Sequence, residues 1–174
     1  MNERRTSRKV SEEIRAAFAG VRLEGGIGLR EARGIDDHAS ESALQVMREQ
    51  DEEEDWAAIP VANLQKYSDT LSFFDAKGLR FHLPAFLIAH LEGAMESVAV
   101  YHLTHFTDWW LTKFSEFSSA QRRAVRSYLL LLRDDPKLSF EHEDICAALD
   151  DVLWKEEPNQ SSEPMRAKGP HGSS

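Results

Sequence analysis

The chain has 174 residues, 41% of them hydrophobic, with four Trp and nine Phe, and a formal net charge of -9. That length and apolar content suit one ordinary domain with a buried core and exclude a disordered chain. Cys146 stands alone, so no internal disulfide forms; the apolar runs Leu129–Leu132 and Pro84–Ala89 are too short to span a bilayer; and the basic start leads into no apolar segment, so a cytoplasmic protein without secretory leader or membrane span is expected.

Residues 1–9, with Arg4, Arg5, Arg8 and Lys9, read as a flexible basic N-terminus. Ser11 suits a helix N-cap, with Glu12 and Glu13 in the first turn and Ile14, Ala17, Phe18 and Val21 at helical spacing. Gly25-Gly26-Ile27-Gly28 breaks the chain. It lacks the preceding strand and the following Gly-Lys-Ser/Thr of a phosphate loop, so it reads as a flexible turn. Leu29–Ile35 predicts one or two helical turns. A second helix over Ser40–Gln50 places Ala43, Leu44 and Met47 on one face. The acidic run Asp51–Asp55 precedes Trp56, Ile59 and Leu64, and Pro60 can open a short helix.

Residues 70–83 give the clearest non-helical pattern. Leu79, Phe81 and Leu83 alternate with Arg80 and His82, and Asp75 and Gly78 supply turn chemistry, which together predict a β-hairpin. Pro84 then ends the second strand and starts a helix over Ala85–Glu92, closed by Gly93. Residues 97–105 fit strand or helix, and helix is expected from about Phe106. Ser118 and Gln121 form a capping box for a central helix carrying Val125, Tyr128, Leu129 and Leu132. A last helix sends Ile145, Leu149, Val152 and Leu153 to the core, and residues 156–174 read as a disordered tail. The expected fold class is α+β: a mainly helical single domain over 10–155, with five or six helices around a short β-hairpin at about 70–83.

Asp55-Trp56-Ala57-Ala58-Ile59-Pro60, followed by Leu71-Ser72-Phe73-Phe74-Asp75 and Gly78-Leu79-Arg80-Phe81-His82-Leu83-Pro84-Ala85, resembles the signature of a family of uncharacterised bacterial proteins. Phe117, Gln121, Val125 and Leu129 are similar to that family's later helix. The family tends to carry an aromatic at the position of His82 and a Phe at that of Leu79. The resemblance implies a shared fold unit over roughly residues 10–155 and supplies no catalytic residue. Toxin immunity enters only by analogy with other small acidic bacterial domains.

Three constellations carry residue types with chemical potential. His102-x-x-His105 with Asp108 nearby has the residue types of a zinc or iron site, making a metal-dependent enzyme or metal-binding protein the alternative reading. Asp75, Arg80 and His82 form a polar cluster on the hairpin's solvent face, against a plain surface ion pair. Residues 36–55 hold nine acids against Arg48 alone, so -8 of the net -9 is gathered there. Asp51, Glu52, Glu53, Glu54 and Asp55, beside Trp56, would attract a basic protein and repel nucleic acid. Cys146 reads as a small core residue, and no nucleophile elbow occurs. The sequence therefore favours a non-enzymatic protein-binding module with an acidic surface, no catalytic residue and no cofactor, of unstated oligomeric state.

Overall fold

The computed structural model describes residues 6–151 and 153–155. Among them the chain forms nine α-helices and three short 3₁₀ turns, and no strand. The helices are α1 (Ser7–Ala17), α2 (Leu29–Asp36), α3 (Glu41–Arg48), α4 (Val61–Lys66), α5 (Ala76–Leu91), α6 (Val100–Thr104), α7 (Asp108–Lys113), α8 (Ser119–Arg133) and α9 (His142–Asp150).

The fold is all-helical, which corrects the α+β expectation. Residues 70–83 form no hairpin: Thr70–Phe73 is a 3₁₀ turn, and Ala76 opens the sixteen-residue helix α5. The physical reason is burial on every side. Eleven of the sixteen α5 residues are buried, among them Phe81, His82, Leu83, Pro84, Ala85 and Phe86. A helix covered all round shows no 3.6-residue stripe, so a chance alternation of period 2 remained as the strongest local signal. Arg80 reads as polar because it reaches out to Glu24 at 2.6 Å. His82 reads as polar yet is only 1% exposed. Pro84 lies inside the helix instead of between elements, and tertiary packing overrides a residue that ordinarily costs a helix about 3 kcal/mol.

Asp75 is turn chemistry of another kind. It is the N-cap of α5, and its Oδ1 accepts from Gly78 N at 2.7 Å. The same oxygen accepts from Ile27 N at 3.1 Å, which ties the glycine-rich segment to the start of α5. The glycines permit this approach. A Cβ on Gly26 would lie 2.7 Å from both Gly78 N and Lys77 Cβ, and one on Gly78 would strike Ile27 O. Gly25–Gly28 is thus a packed junction rather than a flexible turn.

Helix α5 runs through the centre. Helix α1 packs across α5 and α8, α8 also packs on α9, and α6 packs on α9. The cap of α1 is Thr6, not Ser11, so Arg8 and Lys9 belong to the helix. Val10 and Ile14 of this helix and its C-cap Phe18 are fully buried, at i, i+4 and i+8. The capping box of Ser118 and Gln121 is present, with Gln121 N donating to Ser118 Oγ at 3.2 Å and Ser118 N to Gln121 Oε1 at 3.0 Å. Residues 97–105 resolve as helix over Val100–Thr104, and the helix after them starts at Asp108. Trp154 seals the far end, its Nε1 donating to Leu103 O at 2.9 Å. Ile145, Leu149 and Leu153 are buried as expected. Val152, residues 1–5 and the segment 156–174 lie outside the described residues. Among the described residues no helix is long and apolar enough to cross a membrane.

The junction is testable. By helix propensity alone, Gly78→Ala would stabilise by about 1 kcal/mol. Because the added methyl meets backbone at Ile27, the expected outcome is a loss of about 1–3 kcal/mol in urea unfolding. An unchanged or raised midpoint would contradict the close approach.

Candidate functional site

Five segments of the chain meet at a cleft of about 300 Å³. The N-terminus of α2 brings Leu29 and Arg30; the acidic run brings Gln50, Asp51 and Glu52; the segment leading into α4 brings Ala58, Ile59 and Pro60; and α4 itself brings Asn63. His82 of α5 closes the inner end.

His82 is held by three contacts. Its ring stacks on Phe74 at 4.4 Å and 6° and meets Phe81 edge-on at 5.0 Å. Its Nδ1 lies 2.8 Å from Gly78 O. A carbonyl oxygen only accepts, so Nδ1 carries the proton. Burial pushes the imidazole down to about 4, against smaller upward effects of the Gly78 bond and Asp75. In the neutral ring Nε2 is then a bare acceptor, and this atom is buried without a hydrogen-bond partner.

Asp51 is the second unusual group. Its Oδ1 accepts from Arg30 N at 2.8 Å and its Oδ2 from Glu31 N at 3.1 Å, so it caps α2 from twenty residues away. Gly28 has no room for a side chain because the Asp51 carboxylate occupies that space. Burial raises the Asp51 carboxyl in spite of the two N–H bonds and the nearby Arg30. Two titratable groups displaced by desolvation within one cleft mark a candidate site on physical grounds.

The structure therefore brings Asp51, Glu52 and His82 together and separates Arg80 and Asp75 from them. Asp75 sits behind His82 as the cap of α5, while Arg80 pairs with Glu24 at 2.6 Å and Glu116 at 3.6 Å. Glu52, Glu53, Glu54 and Asp55 form a ledge beside the cleft. Glu52 Oε1 accepts from Glu54 N at 3.0 Å and Asp55 N at 3.1 Å, and Asp55 Oδ1 accepts from Ala57 N at 2.9 Å. Glu53 is exposed, and its carbonyl accepts from Leu23 N at 2.9 Å. Trp56 is buried with its Nε1 donating to Phe18 O at 2.8 Å, so it anchors the ledge to the core and is not offered to a partner.

Arginines compensate much of the acidic stretch, the ledge residue Glu54 included. Arg33 pairs with Asp36, Asp37 and Asp69; Arg48 pairs with buried Glu31 and reaches Glu41 at 3.9 Å; Arg22 pairs with Glu54. The acidic surface narrows to the ledge 49–55.

The metal candidates are arranged differently from the sequence pattern. Helix α6 ends at Thr104, so His105 is its C-cap and does not share a helical face with His102. His105 stacks on Tyr101 at 4.3 Å, with Nε2 3.6 Å from Asp144. His102 packs against Trp110, and burial holds it down at about 4. Asp108 lies exposed in the first turn of α7. Among the described residues no group of three or more His, Cys, Asp or Glu side chains is placed to hold a metal ion. Cys146 is half-buried rather than core, 3.5 Å from His142 Nε2.

Arg30, Asn63 and Lys113 went unread in the sequence. Lys113 is 5% exposed, donates to Ser72 O at 2.6 Å and lies over the rings of Trp109 and Trp110, and burial brings its amine down to about 8. A Lys following Trp-Trp at i+3 and i+4 was the one local sign of that cradle. A larger cleft of about 1430 Å³ is lined by His90, Ser97 and Lys137 among others. There His90 Nδ1 lies 2.8 Å and Ser97 Oγ 3.0 Å from the buried Tyr128 hydroxyl, so these groups satisfy one another.

A fold of this kind defines a class by architecture alone: a small helical domain around one central buried helix. The chain belongs to a family of unknown function, DUF6714, whose model matches residues 6–156. This agrees with the resemblance at the level of an uncharacterised domain family. No curated protein and no solved structure matches it.

The buried imidazole sets a pH dependence. His82 in the unfolded chain binds its proton near 6.5 and in the folded chain only near 4, so the unfolded state takes up the proton first on acidification. Stability from this group is complete above about 6.5 and is lost as pH falls towards 4, by up to about 3 kcal/mol. His102 titrates in the same direction. The His82 share is read as the difference between wild type and His82→Phe, whose ring retains the stacking on Phe74. Parallel stability–pH curves for the two would refute it.

Proposed function

We propose that this domain is a non-enzymatic binding module whose acidic ledge, residues 49–55, engages a basic protein partner. The observation that carries the reading is the way the ledge is built. Its loop is fixed by its own carboxylates, through Glu52 and Asp55, and by Trp56 in the core, while Glu49, Glu53, Glu54 and Asp55 are exposed. A preformed, predominantly acidic cluster, in which Arg22 pairs with Glu54, loses little entropy on binding and steers a basic partner. Among the described residues that form the ledge and line the cleft, no nucleophile stands beside a base and an orienting group. An immunity-type role, in which a basic protein is bound and silenced, is one form of this reading.

The test spares Asp51, because that carboxylate caps α2. A variant with Glu52→Gln, Glu53→Gln, Glu54→Gln and Asp55→Asn keeps the capping acceptors and removes four charges. Lysine- and arginine-rich peptides should bind wild type more tightly at low than at moderate ionic strength, and the variant should associate at least about tenfold more slowly. If the variant binds basic peptides as well as wild type does, and neither responds to salt, the reading is wrong.

A further inference from the structure

We propose that the His82-floored cleft is a receptor for an alkyl cation carrying N–H donors, the head group of an arginine- or lysine-like ligand. The inference rests on the reading above in that Asp51 and Glu52 border both the ledge and the cleft. It adds a specific pocket and a ligand chemistry to a general charge.

The floor defines the polarity. His82 Nδ1 is committed as a donor to Gly78 O, and both its stacking partners are phenyl rings, so only the Nε2 edge is left to meet another group. That atom accepts and cannot donate, which rejects carboxylates and phosphates and selects an N–H or O–H group. A buried acceptor left without a partner is costly, so a donor arriving there recovers a deficit already present in the folded chain.

The rim defines the charge. Asp51 and Glu52 contribute two carboxylates against Arg30, whose NH1 lies 3.4 Å from Tyr67 Oη. The carboxylates outnumber that cation by one. Burial already raises the Asp51 carboxyl, and a cation beside it would stabilise the ionised form. The walls define the stem. Leu29, Ala58, Ile59 and Pro60 are apolar and suit methylenes, as when a Lys or Arg side chain lays its stem on apolar surface. About 300 Å³ is the small end of ligand cavities and fits one such side chain or a free small amine. Nε2 has no solvent-exposed surface, so a donor reaches it only when a neighbouring side chain moves.

The probes are n-butylguanidinium, its neutral isostere n-butylurea, and n-butyrate, each titrated into the intact protein while the imidazole ¹⁵N resonances are followed. Butylguanidinium should move the His82 Nε2 resonance saturably, butylurea at least about tenfold more weakly, and butyrate not at all. Ala58→Phe, an exposed wall residue of the cleft, should abolish the shift with an unchanged melting temperature. A peptide with a single arginine separates the two sources of this chemistry. Binding about tenfold tighter than butylguanidinium assigns the pocket to a partner's side chain, and equal binding assigns it to a free small cation; both support the pocket. An Nε2 resonance that stays still, or that moves equally with butylurea, overturns the proposal. If that happens while basic peptides still lose affinity in the ledge variant, the pocket falls and the ledge stands. Butylguanidinium binding with no effect of the ledge charges gives the reverse.

Discussion

The close approach of the glycine-rich segment to the first turn of α5 is the contact on which the rest depends. One carboxylate oxygen, Asp75 Oδ1, accepts from Gly78 N and Ile27 N together. The first bond starts the central helix and the second docks the chain that leads into α2. One turn later, His82 Nδ1 donates a hydrogen bond to Gly78 O. The tautomer of the buried imidazole, and hence the acceptor at the cleft floor, follows from where the helix begins. A side chain at Gly78 would push this junction apart at Ile27 O. Helix start, loop docking and site chemistry are therefore one constraint.

Asp51 repeats that device a short distance away. It caps α2 across a Gly28 that has no space for a Cβ, as Asp75 caps α5 against Gly26 and Gly78. Both carboxylates replace the missing intrahelical partners of a helix N-terminus, where the dipole favours negative charge. They differ in range. Asp75 acts on its own helix and is an ordinary N-cap. Asp51 acts on a helix twenty residues earlier in the chain, so α3 and the acidic run must fold back before α2 is finished. The acidic run thus has a structural half and an exposed half, and Asp51 belongs to the first.

What could be read from the sequence divides along the same line between local and distant partners. The Ser118–Gln121 capping box and the buried face of α8 were legible because each is decided within a few residues. Helix α5 was not legible as one helix. Its surroundings are apolar on every side, so the periodicity that reveals a surface helix was erased, and Pro84 argued locally for a boundary. His82 was singled out as a site residue from the wrong geometry. The hairpin placed it on a wet face beside Arg80, whereas the helix turns it inward onto Phe74. The acidic concentration was visible as a count. Its compensation was not, because Arg22, Arg33 and Arg48 reach acids on other segments as well as their own, such as Asp69 and Glu31. A charge tally along the chain carries no information about such pairings.

Ledge and cleft share a border at Asp51 and Glu52, and this decides how charge at the two sites is coupled. The ledge acids are wet, so their attraction for a cation is weak at close range, screened by salt and useful mainly for steering. Inside the cleft the dielectric is lower, and the same sign of charge acts more strongly on a group that has shed its water. A basic side chain would be drawn in by the first and discriminated by the second, through an imidazole nitrogen that only a donor can satisfy. Asp51 cannot be given up to tune either step, since its carboxylate is already engaged by Arg30 N and Glu31 N. Under the proposed reading, partner preference would be tuned at Glu53 to Asp55 and at the cleft walls, because Asp51, Gly28 and His82 are held in place by the fold itself.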